Sequence, residues 1–271
     1  MIKIKPRNSR LNKFALAISI GIPILMMLSY LFAPNDPLEA NVLNKFASSS
    51  MEYPLGTDQL GRCILSRLLY GGQVTIGITL FASAIVFFLG TFFGILFSFF
   101  RGITLTVLKS ILNAITAIPP IVYLLVLVGV MGNSISTMII ALVFSTIFRL
   151  IKIAMSHSEE EQSLAYIKCA VASGASKFRL ASIHILPNIV ISIIQSLCLT
   201  CSEMIAAIAG FSFIGISLGN EVVDWGTMID EGLNYLNREP MLVVWPVIFV
   251  LIASLCFNTI AKVLLERRQG N

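Results

Sequence analysis

Charge is scarce in this chain. Of its 271 residues 12% are charged, 56% are hydrophobic, and the mean hydropathy is +0.88. Soluble domains carry about 25% charged residues, so an ordinary soluble domain is excluded and the bilayer is the expected solvent. Histidine is rarer still, with only His157 and His184, which leaves little material for an imidazole metal site. Gly215-Ile-Ser-Leu-Gly219 has the G-x-S-x-G spacing of a nucleophile elbow. That motif needs a strand–turn–helix setting and a partner histidine, and both histidines are expected on the opposite face. No Walker A pattern occurs, so ATP binding by a P-loop is excluded. The five cysteines are scattered, and only Cys63 is expected outside, so no structural disulfide is expected. Cys198-Leu-Thr-Cys201 lies in an apolar run and reads as small residues for helix packing. No catalytic residue, metal-ligand set or cofactor motif emerges.

What is present is a series of apolar runs of roughly 20 residues, each long enough to cross a bilayer. Six are read, at about 14–33, 74–100, 108–131, 135–154, 187–210 and 241–264, which defines an all-α polytopic membrane protein. The first follows a basic tail, 1–13, and lacks a small-residue cleavage site, so it reads as an uncleaved span. Lys and Arg set the orientation. With both termini inside, 15 of the 19 basic residues are internal and only Lys45, Arg62, Arg67 and Arg238 are external. Arg149 and Lys152 are counted as internal. Nine acids fall outside, four inside, and Glu203 alone lies within a span. The net charge of +5 is thus a topology signal, not a nucleic-acid signature. The resulting plan is a cytoplasmic tail 1–13, a first span 14–33, an outer loop 34–73, a core 74–264 and a tail 265–271. Within the core, 155–186 is an inner loop and 211–240 an outer one. The Gly90-x-x-x-Gly94 spacing allows close helix approach, and Pro119-Pro120 should kink or break the third span. The run at 74–100 is long for one crossing.

Two features carry the functional reading. Glu203 is an intramembrane acid, a functional candidate by default; it could line a solute path, couple to protons or bond a neighbouring helix. The inner loop reads as two short surface helices. Ser156 or Ser158 would cap the first, with Glu159, Glu160 and Glu161 at its N-terminus. Gly174 would end it with positive φ, Ser176 would cap the second, and Pro187 would open the next span. Small residues crowd the turn, so its backbone could enter another protein's groove.

The inner loop resembles the "EAA" loop of permease subunits of binding-protein-dependent ATP-binding-cassette (ABC) importers. The residues that carry it are Lys168-Cys169-Ala170, Gly174-Ala175-Ser176 and Ile185-Leu186-Pro187-Asn188, although the usual Glu-Ala is replaced by Lys168-Cys169. Pro54-Leu-Gly-Thr-Asp58, Gly61-Arg62 and Ser66-Arg67-Leu-Leu-Tyr70-Gly71 are similar to the second permease of dipeptide, oligopeptide and nickel importers, where Asp usually stands at Cys63. Ser212-Phe213-Ile-Gly215, Trp225-Gly226-Thr-Met228 and Trp245-Pro246 extend the resemblance. The resemblance implies a type I permease fold in a bacterial cell membrane. The expected partners are a different second permease, two ATP-binding subunits, an extracytoplasmic solute-binding protein and membrane lipid. Lys168, Cys169, Ala170, Gly174, Ala175, Ser176, Lys177, Arg179 and Pro187 would couple to the ATPases, where hydrolysis would take place. Asp58, Arg62, Arg67, Asp224 and Trp225 would face the binding protein. Short peptides, nickel and metal chelates remain open as solutes. A non-transport scaffold and a secondary transporter using Glu203 are the alternatives.

Overall fold

Helix accounts for nearly all regular structure because a backbone in lipid must satisfy its own hydrogen bonds. The computed structural model describes residues 9–216, 218–219 and 222–270, without the side chains of 9–11 and 267–270. Lys3, Lys5, Arg7, Ser217 and Glu221, and the side chains of Arg10, Arg267 and Arg268, lie outside the described residues. Ten α-helices follow in order: α1 Ser9–Leu28, α2 Ile64–Ser98, α3 Gly102–Ala117, α4 Pro120–Met131, α5 Ile135–Gln162, α6 Ala165–Ala172, α7 Lys177–Arg179, α8 Leu186–Phe213, α9 Trp225–Leu233 and α10 Met241–Gly270. No strand occurs among the described residues, only an isolated Thr57–Cys63 bridge.

Five helices are long and apolar enough to cross a membrane, and the bent pair α3–α4 meets the same test when taken together, as a broken span or a re-entrant loop. Its 75° bend follows from Pro119-Pro120. A residue before proline is pushed out of the helical region, and Ile118 is extended at φ −74°, ψ 126°. The helix restarts with proline in its first turn, where the missing N–H costs nothing.

α2 begins at Ile64, ten residues before the expected start, and at 35 residues is ~52 Å long. It therefore projects well beyond a ~30 Å hydrocarbon core. α5 also runs further than expected, to Gln162. Ser156 and Ser158 lie inside it and cap nothing. Glu159, Glu160 and Glu161 consequently sit at its C-terminal end, where the dipole disfavours acids. Their compensation is specific: Lys109 Nζ pairs with Glu159 at 2.7 Å, and Tyr166 donates to Glu161.

The segment after Gly174 also departs from expectation. Lys177 to Phe213 is one continuous helix, not a short helix followed by a span. Residues Leu180–Ile185 are π-helical. Pro187 is the reason: it offers no N–H to the carbonyl four residues back, and its ring crowds that carbonyl. Widening the turn ahead of it relieves both without ending the helix.

The core is built from α2, α5 and α8. Ala82, Val86, Met138, Ala141, Leu142, Leu150, Ile193, Met204 and Ile208 are all buried there. The Gly90-x-x-x-Gly94 spacing is used: a methyl on Gly94 would fall 2.5 Å from Ala154 Cβ, and one on Gly90 2.9 Å from Leu150. A second cluster joins α1, α9 and α10 to the opposite end of α2 and α8 around Leu68, Ile76, Ile205, Trp225 and Phe257.

Candidate functional site

Two surface ends and one mid-span pair carry the unusual chemistry. At the first end, α6 is anchored to the core by Ile167, which is 2% exposed. Its C-terminus closes in a Schellman arrangement: Ala175 N–H donates to Ala170 O at 3.0 Å and Gly174 N–H to Val171 O at 3.0 Å. Gly174 sits at φ +84° with open space around it, so the glycine serves the turn and not a packing contact. Ser176 Oγ then accepts from Arg179 N–H at 3.3 Å and starts α7. Lys168, Cys169, Gly174, Ser176, Lys177 and Arg179 are exposed, as is Pro187, and Ala170 and Ala175 are half-buried. Apolar side chains accompany them on the surface, including Phe178 at 82% exposure and Val171 at 54%.

A tie missed in the sequence fixes this hairpin to the bundle. Asn188 Nδ2 donates to Tyr166 Oη at 2.7 Å, Glu161 Oε1 at 3.1 Å and His184 O at 2.8 Å. The hub joins α5, α6 and α8. Partial burial and the Glu161 carboxylate push the Tyr166 phenol up from its ordinary value, so it stays a donor at neutral pH. Asn188 was visible as the last residue of Ile-Leu-Pro-Asn; its partners were not, because they come from elements 22 and 27 residues away.

At the opposite end, the loop before α2 and helix α9 form a charged knot. Arg67 Nη1 pairs with Asp58 and with Glu231 at 2.9 Å. Arg62 bridges the same two carboxylates, at 2.7 Å to Asp58 and 2.6 Å to Glu231. Burial pulls Asp58 and Glu231 upward, but the two guanidinium groups outweigh it and hold both below their ordinary values. Arg67 Nε and Nη2 have no partner among the described residues. Arg67 also lines a cavity of ≈ 10 Å³, room for about one water. Gly61 makes the turn into this knot: its φ is +75°, and a Cβ there would lie 1.8 Å from Asn41 O.

Asp224 caps α9, accepting from Gly226 N–H at 2.7 Å, Thr227 N–H at 3.2 Å, Thr227 Oγ1 at 2.7 Å and Ser212 Oγ at 2.8 Å. Burial raises its pKa, and these donors oppose the shift. Trp225 donates from Nε1 to Leu68 O at 3.0 Å. These positions correct the expectation of a binding-protein surface. Asp58, Arg67, Asp224 and Trp225 are at most 5% exposed, and the Arg62 side chain is 11% exposed. They hold α9 against α2 and α8 and present almost nothing to a partner.

In mid-span, Arg149 Nη2 on α5 pairs with Glu203 on α8 and bonds Thr200 Oγ1 at 3.0 Å. Arg149 lies fourteen residues into α5, and its partner is the acid expected within a span.

The fold and these sites define a class: a polytopic α-helical membrane component that exposes a helical hairpin at one end. Its backbone is similar to the MetNI methionine ABC transporter in inward-facing form, with a TM-score of 0.58 and 16% identity, covering 74% of this chain and 97% of that one. The likeness shows the shared fold. Residues 87–269 match the family model described as binding-protein-dependent transport system inner membrane component, and the chain belongs to that family. It is 28% identical to the oligopeptide transport system permease protein OppC of Bacillus subtilis, over 93% of this chain and 83% of that one. It is also 28% identical to a putative peptide transport system permease of Brucella suis (90% and 83%). A glutathione transport system permease of Pectobacterium atrosepticum is 25% identical (89% and 82%). The chain is thus a multi-pass permease subunit of a binding-protein-dependent ABC importer, and the resemblance read from its motifs holds.

Proposed function

We propose that the chain forms, with a different second permease, the translocation pathway for short peptides, and that α6 and α7 dock into the ATPase subunits. ATP hydrolysis belongs to those partners; this chain is non-catalytic. Both termini and the hairpin lie in the cytoplasm, the orientation that the basic residues favour. α9 and the loop before α2 face outward, towards the binding protein.

The observation that carries this reading is the mechanical continuity from hairpin to span. Gly174 ends α6, Ser176 restarts the chain, and from Lys177 the helix is unbroken for 37 residues, ~55 Å. The Asn188 hub stops the hairpin from swinging freely. Movement of an ATPase groove around Phe178 and Val171 would therefore reach the far end of α8. There Ser212 is bonded to Asp224 at the start of α9.

Peptides are favoured as solute because peptide permeases recur among the relatives. Nickel and metal chelates stay as alternatives the binding protein would decide. Among the described residues no three His, Cys, Asp or Glu side chains gather as a metal site, so nothing here favours a bare ion.

The test is Gly174→Asp in the complete importer reconstituted in vesicles. A side chain at φ +84° costs ~1–2 kcal/mol and puts charge on the docking turn. The permease pair should still assemble, with ATPase attachment or the transport yield per ATP falling at least tenfold. Normal transport with normal stimulated ATP hydrolysis would remove the coupling assignment.

A further inference from the structure

The Arg149–Glu203 pair is partly open: the side chains are 42% and 55% exposed. Arg149 bonds only through Nη2 and Glu203 only through Oε2 among the described residues, leaving the rest of the guanidinium edge and one carboxylate oxygen open. Ala206 and Gly210, one and two turns along α8 from Glu203, are small and exposed, so no bulky neighbour covers the acid from that direction.

The depth of the pair matters. α5 and α8 run antiparallel, tied at one end by Glu161 and Asn188. Arg149 is ~18 Å from that tie along α5 and Glu203 ~22 Å along α8; the opposite helix ends are ~21 and ~15 Å away. The pair therefore sits near the middle of a ~30 Å hydrocarbon core. Charges there do not face lipid; they face protein or a water-filled cavity.

The pair has polar neighbours on both helices. One turn from Arg149 towards the tie, Lys152 Nζ contacts Thr116 Oγ1 at 3.1 Å. On α8, Thr200 and Ser196 continue from Glu203 in the same direction. The Thr200 and Ser196 hydroxyls bond to carbonyls of their own helix, so the open polar edges are those of Arg149 and Glu203 themselves.

We propose that Arg149 and Glu203 form a two-sign site in the pathway for zwitterionic, peptide-like solutes. This rests on the importer reading above. Glu203 takes the solute's ammonium group and Arg149 its carboxylate. With no solute the two groups neutralise each other, so neither is left as an unpaired charge at membrane depth. Passage replaces one ion pair by two, with no covalent step.

The experiment compares uptake of radiolabelled dialanine by the complete importer carrying wild-type chain, Arg149→Gln, Glu203→Gln or both changes. Stimulated ATP hydrolysis and recovery of the second permease are measured in parallel. Removing one member of an ion pair at membrane depth strands the other charge, whereas removing both does not. The double variant is therefore decisive. A solute site requires its uptake to stay at least tenfold below wild type while assembly and ATP hydrolysis persist. Near-normal uptake by the double variant, or failure of either single variant to reduce uptake, overturns the site and leaves the importer reading intact. Loss of the second permease from the double variant assigns the pair to the subunit interface and also overturns it. No dialanine uptake by wild type overturns both readings. As an independent readout, Glu203→Cys in the assembled importer should react with a membrane-impermeant cationic thiol reagent faster than the wild-type chain does; an equal rate contradicts a hydrated site.

Discussion

Single side chains decide how firmly the two surface ends are held. Asn188→Ala removes three hydrogen bonds at one stroke and leaves Tyr166 and Glu161 to themselves. Peptide uptake per ATP hydrolysed should fall severalfold with the complex still assembled, measured in vesicles containing all subunits. The charged knot should answer to pH. Asp58 and Glu231 are held below their ordinary values, so their stabilisation is complete above ~4 and is lost as pH falls through the lowered values. Protease protection of the loop 34–63 in the solubilised chain should be flat from pH 7 to 5 and fail in stronger acid. In Glu231→Gln it should be weaker already at pH 7, because two guanidinium groups then share one carboxylate. At this scale the sequence was only partly legible. Gly174, Ser176 and Asn188 stood in recognisable motifs and occupy the turn, the cap and the hub. Asp58, Arg67, Asp224 and Trp225 were equally visible, but a polar residue in a loop reads as exposed. Their burial depends on α9 folding back onto α2, which no local pattern reveals.

Among the elements, each apolar run falls on a helix or on the bent pair α3–α4, but the helix ends were not legible. α2, α5 and α8 all extend beyond their hydrophobic stretches, because polar residues such as Ser66, Ser158 and Gln162 are satisfied by neighbouring elements. Ser98 and Ser158 bond at 2.7 Å, and Gln162 adds a 2.7 Å bond to Ser98. The break at Pro119-Pro120 was readable from proline chemistry alone. The continuity through Pro187 was not, since the same chemistry can end a helix or widen it. The α2–α5 contact gives the sharpest element-scale expectation. Gly94→Val would drive a branched side chain against Ala154 and the Ile151 carbonyl. Overpacking of this kind costs ~1–3 kcal/mol. Less folded chain should survive detergent extraction, as read by size exclusion, whereas Gly129→Ala, at a position with open space, should behave as wild type.

For the whole molecule, the division of labour follows from where polarity is allowed. One end carries an exposed hairpin, proposed above to dock on the ATPases, and the other a charged knot that braces α9. Between them α8 links the two, with one open ion pair at mid-depth. Charge scarcity made the class legible at once, and motif order made the family legible; the Arg149–Glu203 pairing needed coordinates, because its members lie 54 residues apart. The most direct measurement is ATP-dependent uptake of dialanine into vesicles reconstituted with this chain, its second permease, the ATPases and the binding protein. Uptake is expected only when all four components and ATP are present, and it should collapse with Gly174→Asp. Equal uptake without the ATPases, or none with the full set, would contradict a peptide importer driven through this hairpin.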